Sequence, residues 1–253
     1  MGFVTSTGDI TISTYDHTTG EKDKKVIYPE LQIDDHVNPS LLFLPDGRLM
    51  AFFTRHNGGF YYTTTIEPED ISKWEKLSYI EMGPRLYYSN PALLKDENNR
   101  IYVFLRGGHE SKPVYIYSDD YGKNWSDPKK LVSHVGISSD NRPYTKVQNG
   151  GKSKIWFAIT DGHPRVEPLN SIYVFYYENE KYYQVDGQKI ASMEELPIDQ
   201  NLIDKAYDWA ETKVRSWIWD LAIDETGNPR IAYTRLNEET RHQYYYASWN
   251  GSS

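Results

Sequence analysis

The segment Asp34-Asp35-His36-Val37-Asn38-Pro39, which continues through two apolar stretches to Arg55-His56, is the first copy of a repeating unit. Each unit has a polar or aromatic cluster, an apolar strand, a tight turn, a second apolar strand and a cationic or His-bearing end. The other copies begin and end at Tyr87-Tyr88-Ser89-Asn90-Pro91 and Arg106, at Asn141-Arg142-Pro143-Tyr144 and Asp161-Gly162-His163, and at Trp217-Ile218-Trp219-Asp220 and Arg235. In an antiparallel hairpin the start of the first strand and the end of the second lie at the same edge. The pattern therefore predicts that the reactive ends of all four units converge on one site.

The turns inside the units recur along the chain. They are Pro45-Asp46-Gly47, Glu97-Asn98-Asn99, Asn149-Gly150-Gly151 and Glu225-Thr226-Gly227. The first three turns are spaced by about 51 and 52 residues, which is the period of a four-stranded propeller blade. The last turn follows after about 77 residues, which indicates one longer insertion. A β-sandwich also has short strands and turn signals, but it does not repeat internally.

We predict a strand on each side of every turn and a third strand after most of them. The paired strands are Ser40–Leu44 with Leu49–Thr54, Ala92–Leu94 with Ile101–Leu105, Thr145–Val147 with Ile155–Thr160, and Leu221–Ile223 with Arg230–Thr234. The third strands are Phe60–Thr65, Val114–Ser118, Ile172–Tyr177 and Gln243–Trp249. We expect the insertion Ile190–Arg215 to be a loop over one face with a short helix near Leu202–Trp209. Ile10–Thr14 is expected to be a lone strand that closes the ring by pairing with the last blade.

Composition narrows the class of function. The 253 residues carry a net charge of −8, which argues against nucleic acid or an anionic membrane as the main partner. No apolar run is long enough to span a membrane, and the absence of Cys excludes disulfides and thiolate metal sites. Aromatic residues make up 15% of the chain, and such side chains suit both β-strands and sugar faces. The N-terminus lacks a signal peptide, and we expect a secreted or periplasmic protein whose signal peptide is absent from this sequence.

The most specific motif is Ser118-Asp119-Asp120-Tyr121-Gly122-Lys123-Asn124-Trp125. It fits S-x-D-x-G-x-x-W, the Asp-box of sialidase-type propellers. The Asp side chain caps a tight turn, Gly supplies permissive dihedral angles and Trp packs into the blade. The motif lies in the turn after a third strand, so it indicates architecture and not chemistry.

With these residues, the chain resembles the bacterial-neuraminidase-repeat, sialidase-like propeller family, which includes ulvan lyases and related uronate-polysaccharide lyases. The matching stretches include Asp34-Asp35-His36, Leu44-Pro45-Asp46-Gly47-Arg48, Tyr88-Ser89-Asn90-Pro91, Thr160-Asp161-Gly162-His163-Pro164 and His242-Gln243-Tyr244-Tyr245-Tyr246-Ala247. The resemblance implies an all-β fold, a β-propeller of sialidase-like type with about four to five four-stranded blades in one domain over residues 1–253. Members usually continue for one or two more blades, so the ring is expected to be either smaller, incomplete or completed by partner chains.

Breaking a uronate chain by β-elimination requires a group that neutralises the sugar carboxylate, a base for the C5 proton and an acid for the leaving oxygen. In the lyases that this chain resembles, a His pair on the first full blade, a Tyr and an Arg play these parts. The resemblance therefore implies His36 and either Tyr88 or Tyr144 as base and acid, with His56 supporting the carboxylate. Arg142 or Arg106 would neutralise the charge, because a guanidinium grips a carboxylate bidentately. Further substrate-binding candidates are Asn38, Arg55, Asn90, Arg106, His163, Asp220 and Arg235.

The expected partner is an acidic polysaccharide or oligosaccharide, and no cofactor is required by this chemistry. His36, His56, His163 and nearby Asp residues have the chemistry of metal ligands, and a structural ion is compatible with them, but their spacing does not define a metal site. Two other functions remain open. One is a sialidase-type exo-glycoside hydrolase with a Tyr nucleophile and Asp34 or Asp35 as acid, and the other is a non-catalytic carbohydrate-binding propeller.

Overall fold

The computed structural model of the protein describes residues 1–107, 112–133, 142–165, 169–238 and 241–251. In these ranges almost all regular structure is β, and five sheets have three or more strands. Asn141, at the start of the third unit, lies outside the described residues.

The first two sheets come from the N-terminal third of the chain. The first contains β1 (Gly2–Val4), β2 (Ile10–Tyr15) and β3 (Lys22–Tyr28), in that order. The second contains β4 (Ser40–Phe43), β5 (Leu49–Thr54), β6 (Phe60–Thr64) and β7 (Ser78–Ile80). A 3-10 helix at Asp35–Val37 connects the two.

The third sheet contains β8 (Tyr87–Leu94), β9 (Arg100–Gly107), β10 (Lys112–Ser118) and β11 (Lys129–Lys130), with a 3-10 helix at Lys95–Glu97. A short β12 (Val132–Ser133) precedes the fourth sheet. That sheet contains β13 (Thr145–Asn149), β14 (Lys154–Thr160), β15 (Ile172–Glu178), β16 (Lys181–Gln184) and β17 (Lys189–Ser192).

Two short strands, one α-helix and two 3-10 helices come next. They are β18 (Ile198–Asp199), β19 (Lys205–Tyr207), α1 (Trp209–Thr212) and the 3-10 helices Met193–Glu195 and Gln200–Leu202. The fifth sheet contains β20 (Ser216–Ile223), β21 (Pro229–Leu236) and β22 (His242–Ser248). Within the described ranges no helix has the length and apolar character needed to cross a bilayer.

Two sequence predictions are wrong. Ile10–Thr14 is not a lone strand, because β2 pairs antiparallel with both β1 and β3. The insertion is not a loop with a helix at Leu202–Trp209, since β18 pairs with β12 and β19 pairs with β15. The helix begins only at Trp209, where the Asp208 side chain accepts a hydrogen bond from the Ala210 N–H at 2.8 Å.

Successive sheets bury apolar side chains against each other in chain order, as the blades of a propeller do. Four core clusters each contain residues of two successive sheets. The pairs that share a cluster are Ile10 with Phe53, Phe52 with Val103, Phe104 with Phe157, and Val174 with Ile218. This stacking links each sheet to the next through a shared core cluster and sets their strand edges side by side.

The predicted Asp-box forms as expected at the end of β10. The Asp120 carboxylate accepts the Asn124 N–H at 2.9 Å, and Gly122 has a φ of +86° that favours glycine. Trp125 packs edge-on against Phe52 of the second sheet, with ring centroids 6.1 Å apart. The motif thus joins two neighbouring sheets rather than packing only within its own.

The first two strands of the second to fifth sheets pair so that one edge collects the predicted reactive ends. Ser40 lies opposite Phe52, Tyr87 opposite Arg106, Thr145 opposite Ile159, and Ser216 opposite Arg235. We call this edge the mouth. The Asp-box lies at the other end of its hairpin, as the sequence predicted.

The stacking of sheets predicts how single core residues contribute to stability. Phe157 is fully buried and contacts Phe175 at 4.8 Å and Phe104 of the third sheet at 4.9 Å between ring centroids. We expect Phe157→Ala to lower the free energy of unfolding by about 3–5 kcal/mol, because it leaves a cavity between two sheets. Urea unfolding followed by tryptophan fluorescence measures this. The matched control is Phe43→Ala, whose side chain is 68% exposed and whose loss should change stability by less than about 0.5 kcal/mol.

Candidate active site

Two imidazoles share one carboxylate at the mouth. Asp34 Oδ1 lies 2.6 Å from His36 Nδ1, and Asp34 Oδ2 is hydrogen-bonded to His56 Nδ1. The two rings stack with centroids 4.2 Å apart and an interplanar angle of 24°. Because a carboxylate cannot donate, we assign a proton to both Nδ1 atoms, which leaves each Nε2 as the working atom.

Local structure explains why the two histidines meet. Asp34 caps the 3-10 helix by accepting the His36 N–H at 2.8 Å, and this turn points His36 along the mouth. His56 follows the end of β5, and its N–H donates to Gln32 Oε1 at 3.0 Å. The buried side chain of Val37 packs with Phe53 in the core beneath. The two ends of the first repeat therefore converge, as the hairpin argument predicted.

The pKa of Asp34 reflects its two partners. Burial alone would raise it, but the hydrogen bonds from His56 and from the backbone and ring of His36 outweigh burial and lower the pKa to about 2. Asp34 is therefore anionic at neutral pH. Asp35 Oδ1 also lies 2.7 Å from His36 Nδ1, but the Asp35 side chain is 90% exposed.

Tyr88 occupies a bulge in β8. The register shifts between Tyr87 and Asn90, and Tyr88 has a φ of +53°, which is a costly conformation for a bulky residue. The Asn90 side chain supports it by donating to the Tyr88 carbonyl at 2.7 Å. The bulge brings the Tyr88 ring within 5.0 Å of the His36 ring. Strain of this kind is typical of functional positions.

The hydroxyl of Tyr88 stays protonated. Burial raises its pKa well above the usual range, the nearby Tyr144 raises it further, and the charge of Arg106 opposes the change only in part. The ring centroids of Tyr88 and Tyr144 are 5.7 Å apart. Tyr88 is therefore suited to donate a proton.

Arg106 is a buried cation surrounded by tyrosine rings. Its side chain is only 6% exposed, and its Cζ lies 4.1 Å from the centroid of Tyr144, 4.5 Å from Tyr87 and 5.5 Å from Tyr88. Among the described residues, its Nε and Nη1 have no hydrogen-bond partner. Buried charges are normally paired, so this guanidinium has the capacity to bind an anion that enters the site.

Close strand packing fixes the position of Arg106. A Cβ on the following Gly107 would lie 2.3 Å from Leu86 Cδ2, so a larger residue there would have to displace the Leu86 side chain at the start of β8. Arg106 is directly opposite Tyr87 in the ladder. Pairing with Tyr87 thus positions Arg106, and close packing against Leu86 accounts for the glycine that follows it.

A second group of rings extends the site along the mouth. Tyr144 contacts Trp217 at 4.5 Å and His163 at 5.7 Å, and His163 contacts Trp217 at 5.2 Å, all between ring centroids. Burial lowers the pKa of His163, and the charges of Arg165, Arg106 and His36 lower it further. His163 is therefore neutral at physiological pH.

The other candidates are less central. Asn38 bridges the Val4 N–H at 3.1 Å and the Asp35 carbonyl at 3.0 Å, and Arg55 reaches the Leu31 carbonyl at 3.4 Å. The Asn38–Val4 bond ties the first sheet to the mouth, and the Arg55–Leu31 bond ties the segment that follows β3 to it.

The last three candidates differ in where they lie. Arg142 is partly buried two residues before Tyr144. Arg235 lies at the mouth end of β21 with its Cζ 5.4 Å from the Tyr245 ring. Asp220 is exposed in the middle of β20, where it accepts its neighbour Leu221 N–H at 2.9 Å, and the structure does not bring it to the cluster.

Sequence reasoning gave no role to two contributors and a different role to a third. Asp34 was considered as the acid of a hydrolase, whereas it binds both histidines. Tyr87, named only at the start of the second unit, stacks on Arg106 and donates a hydrogen bond to Asn57. Trp217, named only at the start of the fourth unit, contacts Tyr144. Their positions at the repeat ends were the available signal.

Asp34, His36 and His56 also offer ligand atoms within 4.8 Å of one another. One carboxylate and two imidazoles are ligands that Zn²⁺ accepts. The same Nδ1 atoms, however, are already hydrogen-bonded to Asp34, so an ion here would have to displace those protons.

The sheets and the mouth define a β-propeller with a polar, aromatic site at one end of its hairpins, which confirms the predicted fold class. The model of the BNR repeat-containing family, BNR_4, matches residues 1–253. The chain belongs to this family, which confirms the resemblance seen in the sequence.

An ulvan lyase from Alteromonas sp. (strain LOR) is 28% identical to this chain over 148 residues, which cover 49% of this chain and 30% of that protein. The chain thus matches about a third of the length of this relative.

Solved structures share the fold. A PL25 ulvan lyase bound to -[GlcA(1-4)Rha3S]- has a TM-score of 0.75 and 20% identity, covering 99% of this chain and 68% of that chain. The polysaccharide lyase Uly1 has a TM-score of 0.63 and 10% identity, covering 96% and 65%.

The lowered pKa of Asp34 predicts how stability depends on pH. A carboxyl whose pKa falls on folding stabilises the fold above its unfolded pKa, and this contribution is lost as pH falls from about 4 towards 2. We expect Asp34→Asn to be less stable than wild type at pH 6 by about 1–2 kcal/mol, with the difference shrinking at pH 2. Urea unfolding at both pH values measures this. A constant difference between the two proteins would contradict the assignment.

Proposed function

We propose that this chain is the propeller of a polysaccharide lyase that cleaves uronate-containing acidic polysaccharide by β-elimination. The observation on which the proposal rests is a buried guanidinium, two of whose nitrogens have no hydrogen-bond partner among the described residues, near two imidazoles that share one carboxylate. This set supplies a charge neutraliser and a base, and the strained Tyr88 adds an acid. The named activity of the Alteromonas relative and the uronate bound to the PL25 structure support the same chemistry.

The first requirement is to acidify the C5 proton. In the proposal the substrate carboxylate binds Arg106, whose Nε and Nη1 have no hydrogen-bond partner within the described ranges. A low-dielectric surrounding of tyrosine rings strengthens this interaction, and the charge that develops on the carboxylate in the transition state strengthens it further. Of the two arginines left open by the sequence, Arg106 is favoured because its surroundings are those of the site.

The second requirement is a base. Neutral His36 has its proton on Nδ1, held by Asp34, so its Nε2 lone pair accepts the C5 proton. The C5–H electrons form the C4=C5 double bond, and the C4–O4 bond breaks. His56, held by the same carboxylate and stacked on His36, supports the substrate carboxylate.

The third requirement is an acid for the departing O4. Tyr88 fits because its ring is next to His36 and its hydroxyl carries a proton at neutral pH. The products are a shortened chain with a free hydroxyl and an unsaturated uronate. Asp34 acts as a positioning residue for both imidazoles and does not itself exchange a proton.

The same geometry argues against the hydrolase alternative. A general acid must be protonated at the working pH, and Asp34, with a pKa near 2, is ionised. The Asp35 side chain is 90% exposed, so it lacks the enclosed position beside the substrate that this role requires. A secreted or periplasmic location remains part of the proposal, since the polymer is an extracellular type of substrate.

The test is the appearance of ultraviolet absorbance from the unsaturated uronate when the protein is mixed with ulvan and other uronate polymers. We expect His36→Ala to lower the rate by a factor of about 10²–10⁴, the usual contribution of a general base. The matched control is His17→Ala, because His17 is exposed on the first sheet and should leave the rate unchanged.

Two outcomes would overturn the proposal. One is binding of the polymers by folded wild type without any absorbance change, which would indicate a binding module. The other is release of sugars without a double bond, which would indicate a hydrolase. Activity should persist in EDTA, because no step uses a metal.

The role of Arg106 has its own test. Arg106→Gln should lower kcat by about 10²–10³-fold, whereas Arg106→Lys should keep part of the activity because the charge remains. The control is Arg100→Gln at the far end of the same strand, where Arg100 pairs with Asp119. Methyl esterification of the substrate removes the charge, so it should narrow the gap between wild type and Arg106→Gln. An equal deficit on ester and acid would show that Arg106 only supports the fold.

A further inference from the structure

A pocket of about 550 Å³ opens at the mouth beside the candidate active site. It lies between the fourth and fifth sheets, and its wall includes His163, Arg165, Arg215, Trp217, Trp219 and His242. The ends of β14 and β21 and the starts of β20 and β22 frame it, so it belongs to the same edge as the catalytic cluster. The mechanism proposed above uses none of its cations.

The pocket is physically continuous with the site. Tyr144 contacts Arg106 on one side and Trp217 on the other, and Trp217 is itself a wall residue. His163 contacts Tyr144 and also lies in the wall. A polymer that places one sugar at Arg106 therefore meets this pocket as it continues along the mouth.

The charge of the pocket is opposite to that of the chain. The protein has a net charge of −8, yet the described part of the wall contains Arg165 and Arg215 and no carboxylate. Arg215 Nη1 donates to the Pro164 carbonyl at 3.2 Å, which holds the guanidinium in place. Neither arginine forms an ion pair within the described residues. A held cation in an otherwise acidic protein is suited to attract and orient an anion.

The pocket also offers faces for a sugar ring. Trp219 is 48% exposed, although a side chain of this size is usually largely buried, and its ring lies 6.3 Å from that of Tyr244. Amphipathic rings next to cations match a sugar, which has an apolar face and polar edges. A free inorganic anion would need the cations and not the tryptophans.

We propose that this pocket is a subsite for a further anionic sugar of the same polymer, one that lies beyond the repeat disaccharide bound at Arg106 and carries a sulfate or a carboxylate. The inference rests on the proposed function, because it takes the polymer to run from Arg106 along the mouth to this pocket. It concerns binding and not bond cleavage. It predicts that affinity rises with chain length and that the added affinity depends on Arg215 and Trp219.

Binding is measured by calorimetry in a His36→Ala background, which prevents turnover. The probes are a disaccharide and a hexasaccharide of the repeat -[GlcA(1-4)Rha3S]-. We expect Arg215→Gln to weaken hexasaccharide binding about tenfold, or about 1.4 kcal/mol, and to leave the disaccharide unchanged. Trp219→Ala, at an exposed side chain, should act in the same way and remains informative if Arg215→Gln does not fold.

The control is Arg230→Gln, which removes the same charge from the opposite edge of the fifth sheet and should change neither affinity. Two further probes identify the anion. If Arg215→Gln no longer weakens binding of the desulfated hexasaccharide, the anion in the pocket is a sulfate. If Arg215→Gln no longer weakens binding of the carboxyl-reduced hexasaccharide, the anion is a carboxylate.

Equal weakening for both lengths, no weakening in either variant, or no binding of the hexasaccharide would overturn the subsite. The two proposals fail separately. Length-dependent binding through Arg215 without unsaturated product in wild type would retain the pocket and overturn the lyase. Unsaturated product with unchanged hexasaccharide binding in both variants would retain the lyase and overturn the pocket.

Discussion

Antiparallel pairing of the first two strands in each sheet is the constraint on which the site depends. It returns the chain to the edge from which it started, so residues far apart in sequence become neighbours in pairs such as Tyr87 and Arg106. Stacking of successive sheets through shared cores then aligns those edges. The chemistry at the mouth is a consequence of this geometry, because no single strand contributes more than a few of its side chains.

Arg106 shows what the aligned edges make possible. Burying an arginine without a carboxylate partner among the described residues would normally be costly, and Arg cannot lose its proton to avoid the cost. Three tyrosine rings at 4.1–5.5 Å offset part of that cost through cation–π contact, while two of the guanidinium nitrogens have no hydrogen-bond partner in the part of the chain that the structure describes. Stability alone would favour an apolar residue here. The arrangement makes sense if the missing partner is the carboxylate of a substrate.

Much of the fold and part of the candidate site could be predicted from the sequence, and the remaining features were not predictable for physical reasons. The repeat spacing, the hairpin ends and the Asp-box predicted the sheets and the meeting of His36 with His56, because local turn chemistry and strand period determine them. Nothing local predicted that β2 would pair with β1 and β3, since strand partners are set by tertiary contacts. The prediction of a helix near Leu202–Trp209 was wrong, because Lys205–Tyr207 forms β19 and pairs with β15. The bulge at Tyr88 and the sharing of Asp34 depend on register and rotamers, which sequence patterns do not encode.

The charges along the mouth divide it into two parts with different tasks. Around His36 and His56, the anionic Asp34 fixes two imidazoles, and Arg106 lies against Tyr87 and Tyr88 with two nitrogens that have no partner among the described residues. Around Trp219, Arg165 and Arg215 have no carboxylate beside them in the described wall. A neutral sugar would gain little from the second part, and a lone monosaccharide could not occupy both. An extended polyanion is the ligand that gains from both parts at once, since each added charge meets another cation along one continuous edge.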